Sequence, residues 1–218
     1  MLYLLERERI LPVKTLVPLG VNSARFVPPK DRRNAKVHIG LNPDNIVFGY
    51  CGRLGREKNL ATLYKAFSQL QQQYNNITLL IIGKGVEQET AIFTSKKNVV
   101  LTGAVDNVVP YLQAMDIFVL PSLTETTSLA TLEAMSCGIP VVCTPVGAIK
   151  DYVIDGENGF LFPKKNDLVL KKKLEWLLVN QKGRERMGAA ARQTVETKYS
   201  LKHTIEHLKA VLNEFRGD

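Results

Sequence analysis

The 218 residues, 45% hydrophobic and 23% charged, suffice to bury one full core, and no run approaches the ~20 apolar residues of a membrane-spanning helix. The 29 Lys and Arg against 21 Asp and Glu leave a net charge of +8, which favours anionic partners: nucleic acid, acidic lipid or phosphorylated small molecules. No zinc-finger, RNP or helix-turn-helix wording accompanies that charge, so nucleic acid is discounted.

Met1 to Leu5 is apolar but is followed at once by Glu6-Arg7-Glu8-Arg9, the reverse of a signal peptide's order. Residues 1–22 do not begin like a domain; Leu11 to Asn22 reads as an extended segment entering a turn. Residues 23–43 are basic and Pro-rich (Arg25, Lys30, Arg32, Arg33, Lys36), a loop and a short helix before the core. The first firm strand is Ile46 to Tyr50. After it, Cys51 to Asn59 forms a glycine-punctuated basic loop, and an amphipathic helix runs from about Leu60 to Gln73. Gly52 lets backbone approach a ligand closely, while Arg53 and Lys58 bring two positive charges over it. A diphosphate suits that arrangement, although on these residues alone an ordinary basic turn is the commoner reading.

Ile77 to Ile82 is the second strand, followed by Gly83-Lys84-Gly85. A dinucleotide fingerprint would require Gly or Ala at Gln88, so Gly83 reads as a tight-turn or close-approach glycine. A helix from Glu87 to Ser95 leads to the strand Val99 to Leu101 and the loop Thr102-Gly103-Ala104-Val105. Asp106 is placed to cap a short helix through Tyr111 to Ala114.

Asp116 to Thr144 is one βαβ unit. Ile117 to Leu120 is an apolar strand ended by Pro121, and Thr126, Thr127 and Ser128 can each cap a helix starting near Leu129. That helix turns Leu129, Leu132, Ala134 and Met135 inward. Gly138 takes the left-handed position after it, and Val141 to Cys143 is the next strand. Glu125 sits in the loop at the strand's carboxyl end, where open α/β sheets bind ligands, and Glu133 lies about a turn into the helix. On one continuous helix the two would be roughly 80° apart and about 12 Å along the axis. They can grip separated parts of one elongated ligand, with the amides of the helix start facing an anion between them.

Beyond this unit, Ile149 to Ile154 reads as helical and Phe160 to Phe162 as a last strand. Leu168, Leu170, Leu174, Leu177 and Leu178 form a helical stripe, with Lys171, Lys172 and Lys173 near its wet side. Gly183 to Lys198 makes another helix. Ser200 caps a final one, whose Leu201, Ile205, Leu208, Val211, Leu212 and Phe215 form an apolar face. Cys51, Cys137 and Cys143 lie singly, without CxxC spacing, and read as small buried hydrophobes of a reducing compartment. His203 and His207 lack HExxH wording and read as surface residues, so no metal site is expected.

The alternation of strands and helices predicts an α/β, Rossmann-like parallel sheet of about six strands with helices on both faces. The run from Pro121-Ser122 through Glu125 and Glu133-Ala134-Met135-Ser136-Cys137-Gly138-Ile139-Pro140-Val141-Val142 resembles the paired-glutamate signature (E-x7-E) of group 1 retaining glycosyltransferases. Gly-Arg-Leu followed by Glu-Lys-Asn, around Arg53 and Lys58, resembles the same family. The likeness spans residues 16 to 218 and implies one half of a GT-B fold, the carboxy-terminal, donor-binding domain. It implies that Arg53 and Lys58 hold the donor diphosphate, Glu125 the sugar hydroxyls and Glu133 the ribose. Gly52, Gly83, Gly103, Thr127, Ser128 and Leu129 would complete the nucleotide-sugar site. Many members have Gly directly after the first Glu, where this chain has Thr126 and Thr127. This variant wording resembles hexosyltransferases that build membrane glycolipids.

The resemblance makes residues 1–22 a remnant of the interdomain segment, 23–198 the nucleotide-sugar-binding domain and 199–218 a carboxy-terminal helix. It implies a nucleotide diphosphate-sugar donor, no required cofactor or metal, and an acceptor held by an absent amino-terminal domain in the same or a separate chain. The isolated chain would then be inactive in transfer. A cytoplasmic location is expected, with the positive charge compatible with peripheral association at an anionic membrane face. A stand-alone nucleotide-sugar-binding subunit of a split transferase, and an epimerase or phosphorylase relative, remain open alternatives.

Overall fold

The computed structural model describes residues 17–216. The expectations for residues 1–16 lie outside that range. Six parallel strands form one sheet in the order β3-β2-β1-β4-β5-β6. They are β1 (Ile46–Cys51), β2 (Ile77–Ile82), β3 (Val99–Leu101), β4 (Ile117–Leu120), β5 (Val141–Cys143) and β6 (Gly159–Leu161). The helices, in chain order, are α1 (Arg32–His38), α2 (Leu60–Gln71), α3 (Glu87–Thr90), α4 (Val109–Ala114) and α5 (Leu129–Ser136). They continue with α6 (Ile149–Tyr152), α7 (Asp167–Val179), α8 (Gln181–Lys198) and α9 (Leu201–Arg216).

Every residue of β2, β4 and β5 is buried, which requires cover on both faces of the sheet and explains why these strands are continuous apolar runs. Helix pairs α1–α4, α2–α7 and α5–α8 pack against one another around it. Phe48 of β1 meets Phe67 of α2 edge to face, with centroids 6.1 Å apart. The register Phe48 to Ile117 and Gly49 to Phe118 joins the two halves of the sheet at its centre.

Several expected element ends move, each for a local reason. The helix expected over 149–154 stops at Tyr152 because Asn158 takes over its last turn, donating to the Tyr152 carbonyl at 2.9 Å and accepting from the Ile154 amide at 2.8 Å. The helix expected over 87–95 stops at Thr90 and gives way to turns ending in a left-handed Ser95 (φ 54). Asp106 does not cap α4; the amide of Val109 donates instead to the Asn107 side chain at 3.3 Å. Gly138 is left-handed as expected (φ 68). Leu170, Leu174, Leu177 and Leu178 are buried, but Leu168, expected in the same stripe, is 61% exposed because it lies on the opposite side of α7.

The segment before α1 is tied down at two places. Val21 pairs with the chain around Ser200, its amide donating to the Tyr199 carbonyl at 2.9 Å. Arg192 of α8 donates to the carbonyls of Ser23, Phe26 and Ser136. Ser200 accepts from the His203 amide at the start of α9, and its hydroxyl lies 2.7 Å from Nδ1 of His203, which is half-buried while His207 is exposed.

Candidate active site

Strand order reverses between β1 and β4, so the loops leaving their carboxyl ends diverge and open a crevice there. The two loops are stitched together. The Leu123 amide donates to the Glu57 carbonyl at 2.7 Å, and the Asn59 side chain donates to the Pro121 carbonyl at 3.2 Å. Asn59 sits left-handed (φ 52) between the single turn Arg56–Lys58 and α2, a conformation Asn adopts more readily than most side chains. Lys58 is thereby brought onto Glu125: Nζ lies 2.6 Å from Oε1, with the side chains 18% and 11% exposed. The buried Ser122 hydroxyl donates to the same Oε1 at 2.8 Å, and Thr144 Oγ1 donates to the Ser122 carbonyl. Among the described residues, Oε2 of Glu125 receives no such bond.

Gly147, in the loop after β5, lies against the back of this loop. It is left-handed (φ 56), and a Cβ there would fall 2.2 Å from the Glu125 carbonyl oxygen and 2.6 Å from that of Thr126. The Ala148 amide donates to the Thr126 carbonyl at 2.9 Å. Thr126 itself is not left-handed.

Ser128 caps α5, accepting from the Thr131 amide at 3.3 Å and the Thr131 hydroxyl at 2.9 Å. The cap leaves the Leu129 and Ala130 amides, the first two of the helix, without intrahelical acceptors at its positive end. Leu129, expected inward, is 43% exposed; at the first helical position it turns outward, and Thr131 is buried instead. Glu133, one turn on, is half-buried and makes no ion pair among the described residues. Burial pushes its carboxyl above the ordinary carboxylate range, and the Arg25 guanidinium partly opposes the shift. The thiol of Cys51, at the end of β1, is pushed up to about 12 by burial and, less, by the charge of Glu133.

Arg53 stays apart from this cluster. Its side chain is 76% exposed and donates to Glu57 Oε1 at 2.7 Å. Its carbonyl is held by the Tyr50 hydroxyl at 2.7 Å. Gly52, Gly83 and Gly103 follow β1, β2 and β3 side by side, the Gly52 amide donating to Ile82 at 3.0 Å and the Gly83 amide to Gly103 at 2.8 Å. A Cβ on Gly83 would fall 1.9 Å from the Gly52 carbonyl oxygen, so the close approach it permits is of loop to loop. Thus Lys58 and Glu125 are brought together, while among the described residues neither Arg53 nor Glu133 bonds to them.

Sequence reasoning missed Ser122, Tyr50, Arg25 and Gly147 as parts of this arrangement. Ser122, three residues before Glu125 in a short loop, carried a usable signal; nothing in the sequence places Gly147 behind Glu125. Three open depressions of about 360–430 Å³ lie elsewhere, along α9, at the amino-terminal edge of the sheet, and between α7 and α8. Among the described residues no three His, Cys, Asp or Glu side chains gather to hold a metal ion.

Residues 31–194 match the model of the family described as glycosyl transferases group 1. The chain is 31% identical over 203 residues to the capsular polysaccharide biosynthesis glycosyltransferase CapM of Staphylococcus aureus, covering 90% of this chain and 53% of CapM. Its fold superposes on sucrose-phosphate synthase from Thermosynechococcus elongatus with a TM-score of 0.84 at 24% identity, covering 99% of this chain and 57% of that one. HepE of Anabaena, solved in complex with UDP and glucose, superposes with a TM-score of 0.78 at 20% identity, covering 89% and 55%. The chain spans about half the length of these proteins.

Proposed function

We propose that this chain, which belongs to the group 1 glycosyltransferase family, is the donor-binding domain of a retaining hexosyltransferase. The observation that carries this reading is the Lys58–Glu125–Ser122 cluster in the crevice where strand order reverses. One oxygen of Glu125 is held by Lys58 and Ser122, which orients the other to accept a sugar hydroxyl. The Lys58 ammonium then lies where a diphosphate would run beneath the sugar. Glu133, half-buried and without an ion pair among the described residues, accepts from the ribose hydroxyls, and those bonds offset the burial it suffers in the free protein.

The amides at the start of α5, with Thr127, Ser128 and Leu129, face the phosphates. Gly52, Gly83 and Gly103 keep the strand ends free of side chains beside the nucleotide. Arg53 exchanges Glu57 for the diphosphate when donor arrives. In the transfer step the sugar–phosphate bond breaks as an acceptor hydroxyl attacks from the same face and passes its proton to the departing phosphate oxygen, while Lys58 and Arg53 stabilise the charge growing on the diphosphate. Neither a protein nucleophile nor a metal is required. HepE, which binds UDP and glucose on the same fold, supports a nucleoside diphosphate-sugar as donor.

The acceptor is held by an amino-terminal domain, in the same or a separate chain, that closes the crevice. The face of α9 bearing Leu201, Ile205, Leu208 and Leu212, each 44–50% exposed, packs toward it. Calorimetry of the 218-residue chain with uridine, guanosine and adenosine diphosphate-sugars tests the reading. One base is expected to bind, with Glu125→Gln weakening the sugar-bearing donor more than the free diphosphate. Absence of binding to all three overturns it. Transfer to acceptor by this chain alone is expected to be negligible, and an added amino-terminal domain should restore it.

A further inference from the structure

A surface helix normally buries one apolar stripe, and α7 carries two. Leu170, Leu174, Leu177 and Leu178 face the core and are buried. On the opposite side Leu168, Lys172, Trp176 and Val179 fall within an arc of roughly 80° by helical spacing. Leu168, Trp176 and Val179 are 61%, 38% and 65% exposed. Trp176 is held in place at its base: its ring meets Phe160 edge to face at 5.3 Å and lies over Gly183 of α8, where a Cβ would fall 2.4 Å from it.

The surround is cationic. Lys172, Lys173 and Arg186 line the depression of about 360 Å³ beside Trp176. Lys164 and Lys165 are exposed in the loop entering the helix, and Lys182 is exposed just past its end. Of the nearby carboxylates, Asp155 is engaged by Lys173 at 3.2 Å, Glu175 by Lys171 at 3.5 Å and by the Tyr74 hydroxyl at 3.2 Å, and Asp167 by Gln69 at 2.8 Å, while Glu157 is exposed without an ion pair among the described residues, so the cations outnumber it.

We propose that this outer face of α7 docks the protein on an anionic lipid membrane. Aliphatic tips around a fixed indole, bordered by lysines, match the chemistry of an acyl–headgroup boundary with negative charge. An acidic polysaccharide would use the cations but not Leu168 and Val179. The other exposed apolar face, on α9, carries no aromatic anchor among its described side chains. The proposal stands independently of donor binding.

Trp176 is the sole tryptophan, so its fluorescence reports on this face alone. Mixing the 218-residue chain with phosphatidylcholine vesicles containing phosphatidylglycerol should shift its emission to shorter wavelength. Lipids brominated in their chains should quench it, and vesicles of phosphatidylcholine alone should do neither. Lys172→Gln should weaken partitioning about five-fold, the effect of one cation at such a surface, and added salt should weaken it further. Leu168→Ser with Val179→Ser should abolish quenching while circular dichroism stays native; if that double variant unfolds, Lys172→Gln decides. The proposal is overturned if the chain does not sediment with anionic vesicles or sediments with Trp176 emission unchanged. A response to a soluble acidic polysaccharide but not to vesicles would equally overturn it.

Discussion

Two lysine–carboxylate pairs stand at opposite ends of the same sheet. At the amino-terminal end Lys36 meets Asp116 at 2.7 Å, with side chains 5% and 8% exposed. At the carboxyl end Lys58 meets Glu125 at 2.6 Å. The first pair is bonded into backbone: Lys36 donates also to the Asn45 carbonyl at 2.7 Å, and Asp116 accepts from the Val47 amide at 2.8 Å. It therefore fixes where β1 begins beside β4. The second is bonded side chain to side chain between two loops, and no strand depends on it. The same chemical pair is tied into the architecture where its spare bonds go to main chain, and is not where they do not.

Breaking each pair sharpens the contrast. Asp116→Ala leaves a buried ammonium and an orphaned strand amide, and should cost about 3–5 kcal/mol in urea unfolding. Lys36→Met combined with Asp116→Asn should recover much of that loss, since Asn still accepts from Val47 and no buried charge remains. Lys58→Ala should cost far less stability but weaken diphosphate-sugar binding by about 1–3 kcal/mol in calorimetry. Equal losses of stability at the two lysines would break the comparison.

The smallest effect concerns Glu133. Its folded carboxyl titrates above its unfolded value of about 4.3, so the folded state holds the proton more tightly and stability falls as pH rises through that window. Glu133→Gln should remove this slope and raise the neutral-pH stability of the free protein by up to about 1 kcal/mol, while lowering nucleotide affinity. Thermal unfolding at two pH values on either side of the window, with and without nucleotide, checks both signs.

The strands were legible because burial on both faces leaves little but Val, Ile, Leu and Phe to choose from. Helix ends were less so: Asn107 and Asn158 move them through side-chain bonds that no periodicity displays. Lys36 read as one more basic residue of a polar stretch, because its partner Asp116 is distant in sequence. In the site, Glu125 and Lys58 were legible as residues, through their resemblance to a known pattern. Their direct contact was not, because it depends on the left-handed Asn59 and on Gly147 lying behind the loop.

The strand order also dictates when the crevice can exist during synthesis. β1, β2 and β3 are neighbours in both chain and sheet, and can associate as soon as they emerge. The other edge of β1 then stays open until β4 is made and turns back to it, an unpaired edge of the kind that invites wrong partners. The crevice lies on that seam, so it is assembled only when the two halves of the sheet join. A donor bound across the seam would favour the joined state, and slowed amide exchange at Val47 and Asp116, whose amides bond across it, on adding nucleotide would register it.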